Sequence, residues 1–335
     1  MHTKRLTITY VALAAALLGL FALNLFWGSV AISPRGVVQA LLGRGQDELA
    51  ANILLQLRLP RAVMVVLLGA ALSVAGYLLQ TFFANPIAGP FVMGISSGAK
   101  LVVALTMVVF LNHGLLTNSL TLILAAFAGS MAAMAFVLSV ARRVHRMSIL
   151  VICGVMIGYI ANAVIGVLKF FSAEEDIRAY VVWGLGSFAR VSGGQTYVFV
   201  VMMLVLLPFS FLLIKTLNLM LLGDAYASNL GLNVKRARIE VITCAGVLCA
   251  VVTAYCGPIV FLGLAVPHIC RGLFRSSDHR VLLPSSLLAG SSLALLCNLI
   301  SRMPGFEGAL PVNSVTALVG APVVIYVLLH RHQRR

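Results

Sequence analysis

The sequence predicts an all-α integral membrane protein that crosses its bilayer ten times within one domain, residues 1–335. Three observations carry that reading. Of 335 residues 61% are hydrophobic and only 10% charged, with a mean hydropathy of +1.05, whereas soluble domains are roughly 45–50% apolar. A water-soluble fold is excluded. The apolar residues fall into long tracts, each near the 17–25 residues that a helix needs to cross about 30 Å of hydrocarbon, and a helix satisfies its own backbone in lipid. Lys and Arg, 24 against nine acids, gather in alternate connections, as the cytoplasmic side of a membrane protein requires. The net charge of +15 therefore needs no nucleic acid to explain it.

Charge-free tracts run 6–27, 62–79, 119–141, 147–168, 196–214, 281–301 and 311–329. The first follows Lys4 and Arg5, and its 22 residues exceed the 7–15 of a signal-peptide core, so it reads as a retained span. An eighth span, from about Pro90 to Leu111, contains Lys100, which has to snorkel or face protein. The tract 241–269 would be about 43 Å long as one helix, and Gly257-Pro258 divides it in two. Charge parity agrees, because Lys4 and Arg5 share a side with Arg331, Arg334 and Arg335 only if the number of spans is even. Both termini are then cytoplasmic. Fifteen basic residues fall in cytoplasmic segments and eight in external ones, with Lys100 inside its span.

Three connections are too long or too patterned for simple turns. Residues 28–60 lie outside and are rich in Gly, Pro and polar side chains. Residues 172–195 also lie outside, with a short interfacial helix expected over 177–188 behind Glu174, Glu175 and Asp176, acids that suit a helix N-terminus. The stretch 216–238 lies inside and holds a short helix over 223–231, stopped by Gly231 as C-cap glycine. Gly89-Pro90-Phe91-Val92 with Gly94 echoes Gly257-Pro258-Ile259-Val260 with Gly263, in spans that run in opposite directions. An inverted repeat looks like this, and its irregular backbone, here Gly94 with Ser96 and Ser97, is expected on the translocation path.

The interior is informative for what it lacks. None of the nine acids falls in the middle of a span, so the ionisable carboxylate that proton- or sodium-driven carriers commonly keep there is missing. No G-x-x-x-x-G-K-[ST] loop is present, so any ATP must be bound by a partner. No H-E-x-x-H, G-x-S-x-G or paired-carboxylate motif suggests an enzyme. Cys153, Cys244, Cys249, Cys256, Cys270 and Cys297 sit in apolar stretches without CxxC spacing, which argues against both a disulfide framework and a metal site. Gly154 with Gly158, Gly69 with Ser73, and the small-residue run 125–135 read first as close helix packing and second as path lining. His268 reads as a packed residue and Lys169 as a snorkelling anchor.

Arg58-Leu59-Pro60-Arg61, Gly69-Ala70-Ala71-Leu72, Gly76, Gln80, Asn85-Pro86-Ile87-Ala88 and Gly94-Ile95-Ser96-Ser97-Gly98-Ala99 resemble the first half of the FecCD-type permeases. These are membrane subunits of type II ABC importers for iron-siderophore, haem and vitamin B12. Trp183 with Gly186-Ser187, Gly231-Leu232-Asn233-Val234, Gly257-Pro258-Ile259, Val266-Pro267-His268, Asp278-His279-Arg280, Leu310-Pro311-Val312 and Thr316-Ala317-Leu318-Val319-Gly320-Ala321-Pro322 continue the resemblance in order to about residue 330.

The resemblance implies ten spans per subunit, a second permease subunit forming a homodimer, a cytoplasmic ABC ATPase dimer and an external substrate-binding protein. ATP and magnesium then sit on the ATPase, no cofactor or metal sits in this chain, and the chain is not itself an enzyme. It implies that Arg58, Arg61 and Arg302 dock carboxylates of the binding protein, as guanidinium forks can. It implies that Asp224, Ala225, Ser228, Leu230 and Gly231 form the coupling helix gripped by the ATPase, and that Met147 and Ser148 form a cytoplasmic gate, where Met147 departs from the family's usual Thr. The expected cargo is an iron-siderophore chelate carried across a bacterial inner membrane, with cobalamin and haem as alternatives. An ion-coupled secondary transporter or a passive channel is the rival class.

Overall fold

The computed structural model describes residues 2–28, 30, 32–43, 47–85, 89, 91, 93–112, 118–144, 147–190, 193–303 and 310–332. All regular structure among them is helical. In chain order the helices are α1 (His2–Phe26), α2 (Pro34–Leu41), α3 (Glu48–Asn52), a π-helical turn (Ile53–Arg58), α4 (Leu59–Phe82), α5 (Ile95–Asn112), α6 (Ser119–Arg143) and α7 (Met147–Phe170). They continue as α8 (Glu174–Gly184), α9 (Gly194–Leu212), α10 (Ile214–Met220), α11 (Asp224–Asn229), α12 (Val234–Cys256), α13 (Phe261–Phe274), α14 (His279–Ser301) and α15 (Val312–His332). Among the described residues seven helices are long and apolar enough to cross a membrane, and Ile95–Val109, Phe261–Phe274 and Val312–Tyr326 are shorter apolar helices.

Local chemistry sets the boundaries. Asp47, Asn118, Asn233 and Asp278 cap α3, α6, α12 and α14 by accepting backbone N–H bonds that the first turn cannot otherwise satisfy. The tract 241–269 breaks at the expected place: Gly257 takes φ +80, a conformation open to a residue without Cβ, and α13 begins at Phe261. The echo between the two halves is not position for position, because the left-handed glycine of the first copy is Gly94, while Gly263 lies inside α13. Pro90 and Val92 of that echo lie outside the described residues.

One expectation changes. The helix expected over 177–188 runs Glu174–Gly184 instead: its three acids occupy the first turn rather than preceding it, and Gly186 at φ +73 turns the chain before Phe188. The described residues of the stretch 28–60 hold α2, α3 and the π-helical turn that runs straight into α4.

Helix α4 is the central post. It is buried on nearly every face and packs on α14, α12, α13 and α9. Gly76 lies so close to the Gly263 backbone that any Cβ there would overlap it, and Gly69 meets Gly290 in the same way. Small residues thus let backbones touch where lipid offers no hydrophobic drive between helices. The pairings also mirror one another: α4 on α14 matches α12 on α6, α4 on α13 matches α12 on α5, and α5 on α7 matches α13 on α15.

Candidate functional site

Polar chemistry concentrates at the two ends of the bundle. At one end α1 stops at Phe26, and its last carbonyls have no partner within the helix. Arg58 fills that need. Its Nη1 donates to Leu25 O at 2.8 Å and Phe26 O at 3.0 Å, and its Nη2 donates to Val30 O. Arg58 is only 3% exposed. The expectation that it is an outward-facing docking fork is therefore corrected: it is a buried clamp between the end of α1 and the start of α4.

Arg61 and Arg302 stand differently. Both line a pocket of about 310 Å³ together with Arg190, Ser187, Asn298 and Ser301. Burial, reinforced by the like charges of Arg61 and Arg58, pushes the Arg302 pKa down to about 10. Among the described residues no carboxylate lines this pocket. Guanidinium groups held together make a seat for an anion, and their planar forks suit carboxylates. Arg190 belongs to this group although no motif pointed to it. Its Nη2 donates to Trp183 O at 3.2 Å and its guanidinium lies 5.7 Å from the Trp183 ring. The same corner joins segments far apart in the chain: Ser187 N–H donates to Cys256 O at the Gly257 break, and Asn313 N–H donates to Leu185 O.

At the other end Asp224, Ala225, Ser228, Leu230 and Gly231 lie on one exposed projection built by α11. Ala227 anchors it with no exposure, and Arg238 of α12 holds Asp224 at 2.5 Å. Around that anchor Tyr226 and Leu230 are 69% and 61% exposed, with Leu221 and Leu222 beside them. Four apolar side chains are thus exposed on and just beside α11, a patch of the kind that marks interaction surfaces.

The expected path residues separate. Ser96 and Ser97 are each 4% exposed, the Ser96 hydroxyl lies 4.0 Å from Cys249 Sγ, and a Cβ at Gly94 would stand 2.9 Å from Gly154 O. Gly94, Ser96 and Ser97 are thus buried among α5, α7 and α12 within this chain. Ser148 is exposed at the start of α7, while the side chain of Met147 lies outside the described residues. His268 is buried, Lys169 lies over the Tyr180 ring at 4.7 Å, and Lys100 faces the Phe91 ring at 5.5 Å rather than open hydrocarbon.

An acid-poor helical bundle with a cationic pocket at one end and an exposed apolar arm at the other defines the class: a multi-pass membrane permease. The FecCD transport family model matches residues 16–330. The chain is 31% identical over 332 residues to the hemin transport system permease protein HmuU of Yersinia pestis, covering 99% of this chain and 97% of that one. It is 38% identical over 277 residues to the vitamin B12 import system permease protein BtuC of Shigella sonnei, covering 82% of each. A solved structure described as an inward-facing conformation of a metal-chelate type ABC transporter superposes with a TM-score of 0.84 at 26% identity, over 96% of this chain and 98% of that one. The chain belongs to the FecCD transport family.

Proposed function

We propose that this chain is one of two identical permease subunits of an ATP-driven importer, carrying a metal chelate inward across the bacterial inner membrane through ten spans with both termini cytoplasmic. The observation that supports it most is the pairing of the Arg61–Arg190–Arg302 pocket, lined by no acid among the described residues, with the apolar α11 arm at the opposite end. A binding protein brings carboxylates to the first, and an ATPase dimer grips the second, so hydrolysis, ATP and magnesium stay on a separate chain. Arg61 and Arg302 remain the docking cations, and the described helices carry no mid-span acid that an ion-coupled mechanism would cycle. The mirrored pairings of α4 with α12 and α5 with α13 are consistent with an inverted repeat whose halves rock about the path. The cargo is an iron-siderophore, haem or vitamin B12 type chelate; the names of the two relatives support the latter two.

The test is reconstitution with the ATPase and binding protein in vesicles, offering each chelate in turn. The expected result is uptake that requires ATP and one chelate that stimulates hydrolysis. Uptake driven by an imposed ion gradient without ATP would overturn the proposal.

A further inference from the structure

A second pocket, of about 450 Å³, opens among the C-terminal ends of α4 and α13, the N-terminal end of α14, and Leu221 just after α10. Its wall is a hydrogen-bonded net. Arg271 Nη1 donates to Gln80 Oε1 at 2.8 Å, Gln80 Nε2 donates to Leu264 O at 3.1 Å, and the Arg271 guanidinium lies 5.6 Å from the Tyr77 ring, whose hydroxyl bonds His279 Nδ1. Asn218 ties α10, the helix that precedes the α11 arm, to the start of α14. Its Oδ1 accepts from the His279 backbone at 3.1 Å and its Nδ2 donates to Asp278 Oδ1 at 3.0 Å.

The pocket presents the guanidinium groups of Arg271 and Arg275 and the hydroxyls of Ser276 and Ser277, and among the described residues no carboxylate lines it. Asp278, next along the chain, is turned to Asn218 and to the Arg280 N–H. Arg275 holds φ +47 at the rim, a conformation that glycine adopts without strain. An arginine here keeps a charge at the mouth where the backbone alone would favour glycine.

Resting on the reading of α11 as the ATPase contact, we propose that this pocket is a second ATPase contact, which seats an acidic loop tip of that partner against Arg275 and Arg271. A lipid phosphate would satisfy the same charge, but it would leave Leu222, Tyr226 and Leu230 of the adjoining arm uncovered. A protein surface covers both, because Leu221 is shared between the arm and the pocket. Through Gln80 the net reaches the carbonyl of Leu264 in the first turn of α13, so a load on the pocket bears on the helix that follows the Gly257 break.

The test is Arg275→Gly in the full-length chain, which removes the guanidinium while relaxing the backbone. Affinity for the purified, fluorescently labelled ATPase subunit of the same transporter is measured in phosphatidylcholine nanodiscs. Binding is expected to weaken at least about tenfold, with the unfolding temperature unchanged or raised, and Arg275→Asn, which also tolerates this conformation, weakens it likewise. Unchanged affinity in both variants sinks the pocket while Tyr226→Ala, if it weakens binding, leaves α11 standing. Unchanged affinity with activity lost only in phosphatidylglycerol-containing nanodiscs assigns a lipid headgroup and overturns the proposal. A wild-type chain that binds no ATPase removes both readings together.

Discussion

Arg58 and Arg61 are three positions apart on one turn of chain, yet their surroundings give them opposite work. Arg58 spends its donors on Leu25, Phe26 and Val30, so Arg58→Ala strips the end of α1 of its partner. Hydrogen bonds from a charged donor are worth about 1.5–3 kcal/mol, and the variant is expected to lose about that much in thermal unfolding. Binding-protein capture is lost only as far as the fold is. Arg61→Glu with Arg302→Glu has the reverse profile. Those side chains line an open pocket, so the double variant should unfold at the wild-type temperature while affinity for the loaded binding protein falls at least about tenfold. Basal hydrolysis by the assembled transporter should be unchanged. Equal capture by wild type and double variant would remove the docking role.

Helix crossings place these side chains, and the crossings depend on missing Cβ atoms. Gly76→Val forces a side chain into the Gly263 backbone, and overpacking of this kind costs typically 1–3 kcal/mol. Gly19 in α1 has nothing within 4 Å of a built Cβ, so Gly19→Ala should be neutral or stabilise by up to about 1 kcal/mol. Comparing unfolding of the two variants in detergent checks that the α4–α13 crossing, not glycine content, holds the bundle. The α11 arm predicts a functional loss without a structural one. Tyr226→Ala with Leu230→Ala should leave the unfolding temperature unchanged and reduce chelate-stimulated hydrolysis by roughly tenfold, since exposed apolar anchors commonly dominate an interface.

For the whole molecule the proposed orientation is testable by labelling. The described thiols are free and, apart from half-buried Cys153, buried, so they react slowly with a polar reagent. Ser228→Cys on α11 and Glu175→Cys on α8 are both exposed positions. In intact cells an impermeant maleimide should modify Glu175→Cys only, and in inverted vesicles Ser228→Cys only. Labelling of both from one side would overturn the topology. It would also separate the cationic pocket from the binding protein it is proposed to meet.

Hydropathy and charge alone determined that this chain lies in a membrane as a helical bundle, where its long tracts lie and where the 241–269 tract breaks, because hydrocarbon thickness and backbone satisfaction act on each segment independently. The Gly257 break was legible because the tract is too long for one span and carries Gly-Pro, and Gly231, at φ +87, follows the short helix Asp224–Asn229. Exposure is not a property of a segment. Arg58 reads like Arg61 in the sequence, and only the arrival of the end of α1 decides that one is buried and the other open. Arg190 carries no motif and joins Arg61 and Arg302 because the Trp183 corner folds onto the Gly257 break. The burial of Gly94, Ser96 and Ser97 follows from α7 and α12 packing over them, which no local motif shows. Contacts between helices far apart in sequence set these outcomes, so tertiary packing alone decided which polar groups remain free to meet a partner.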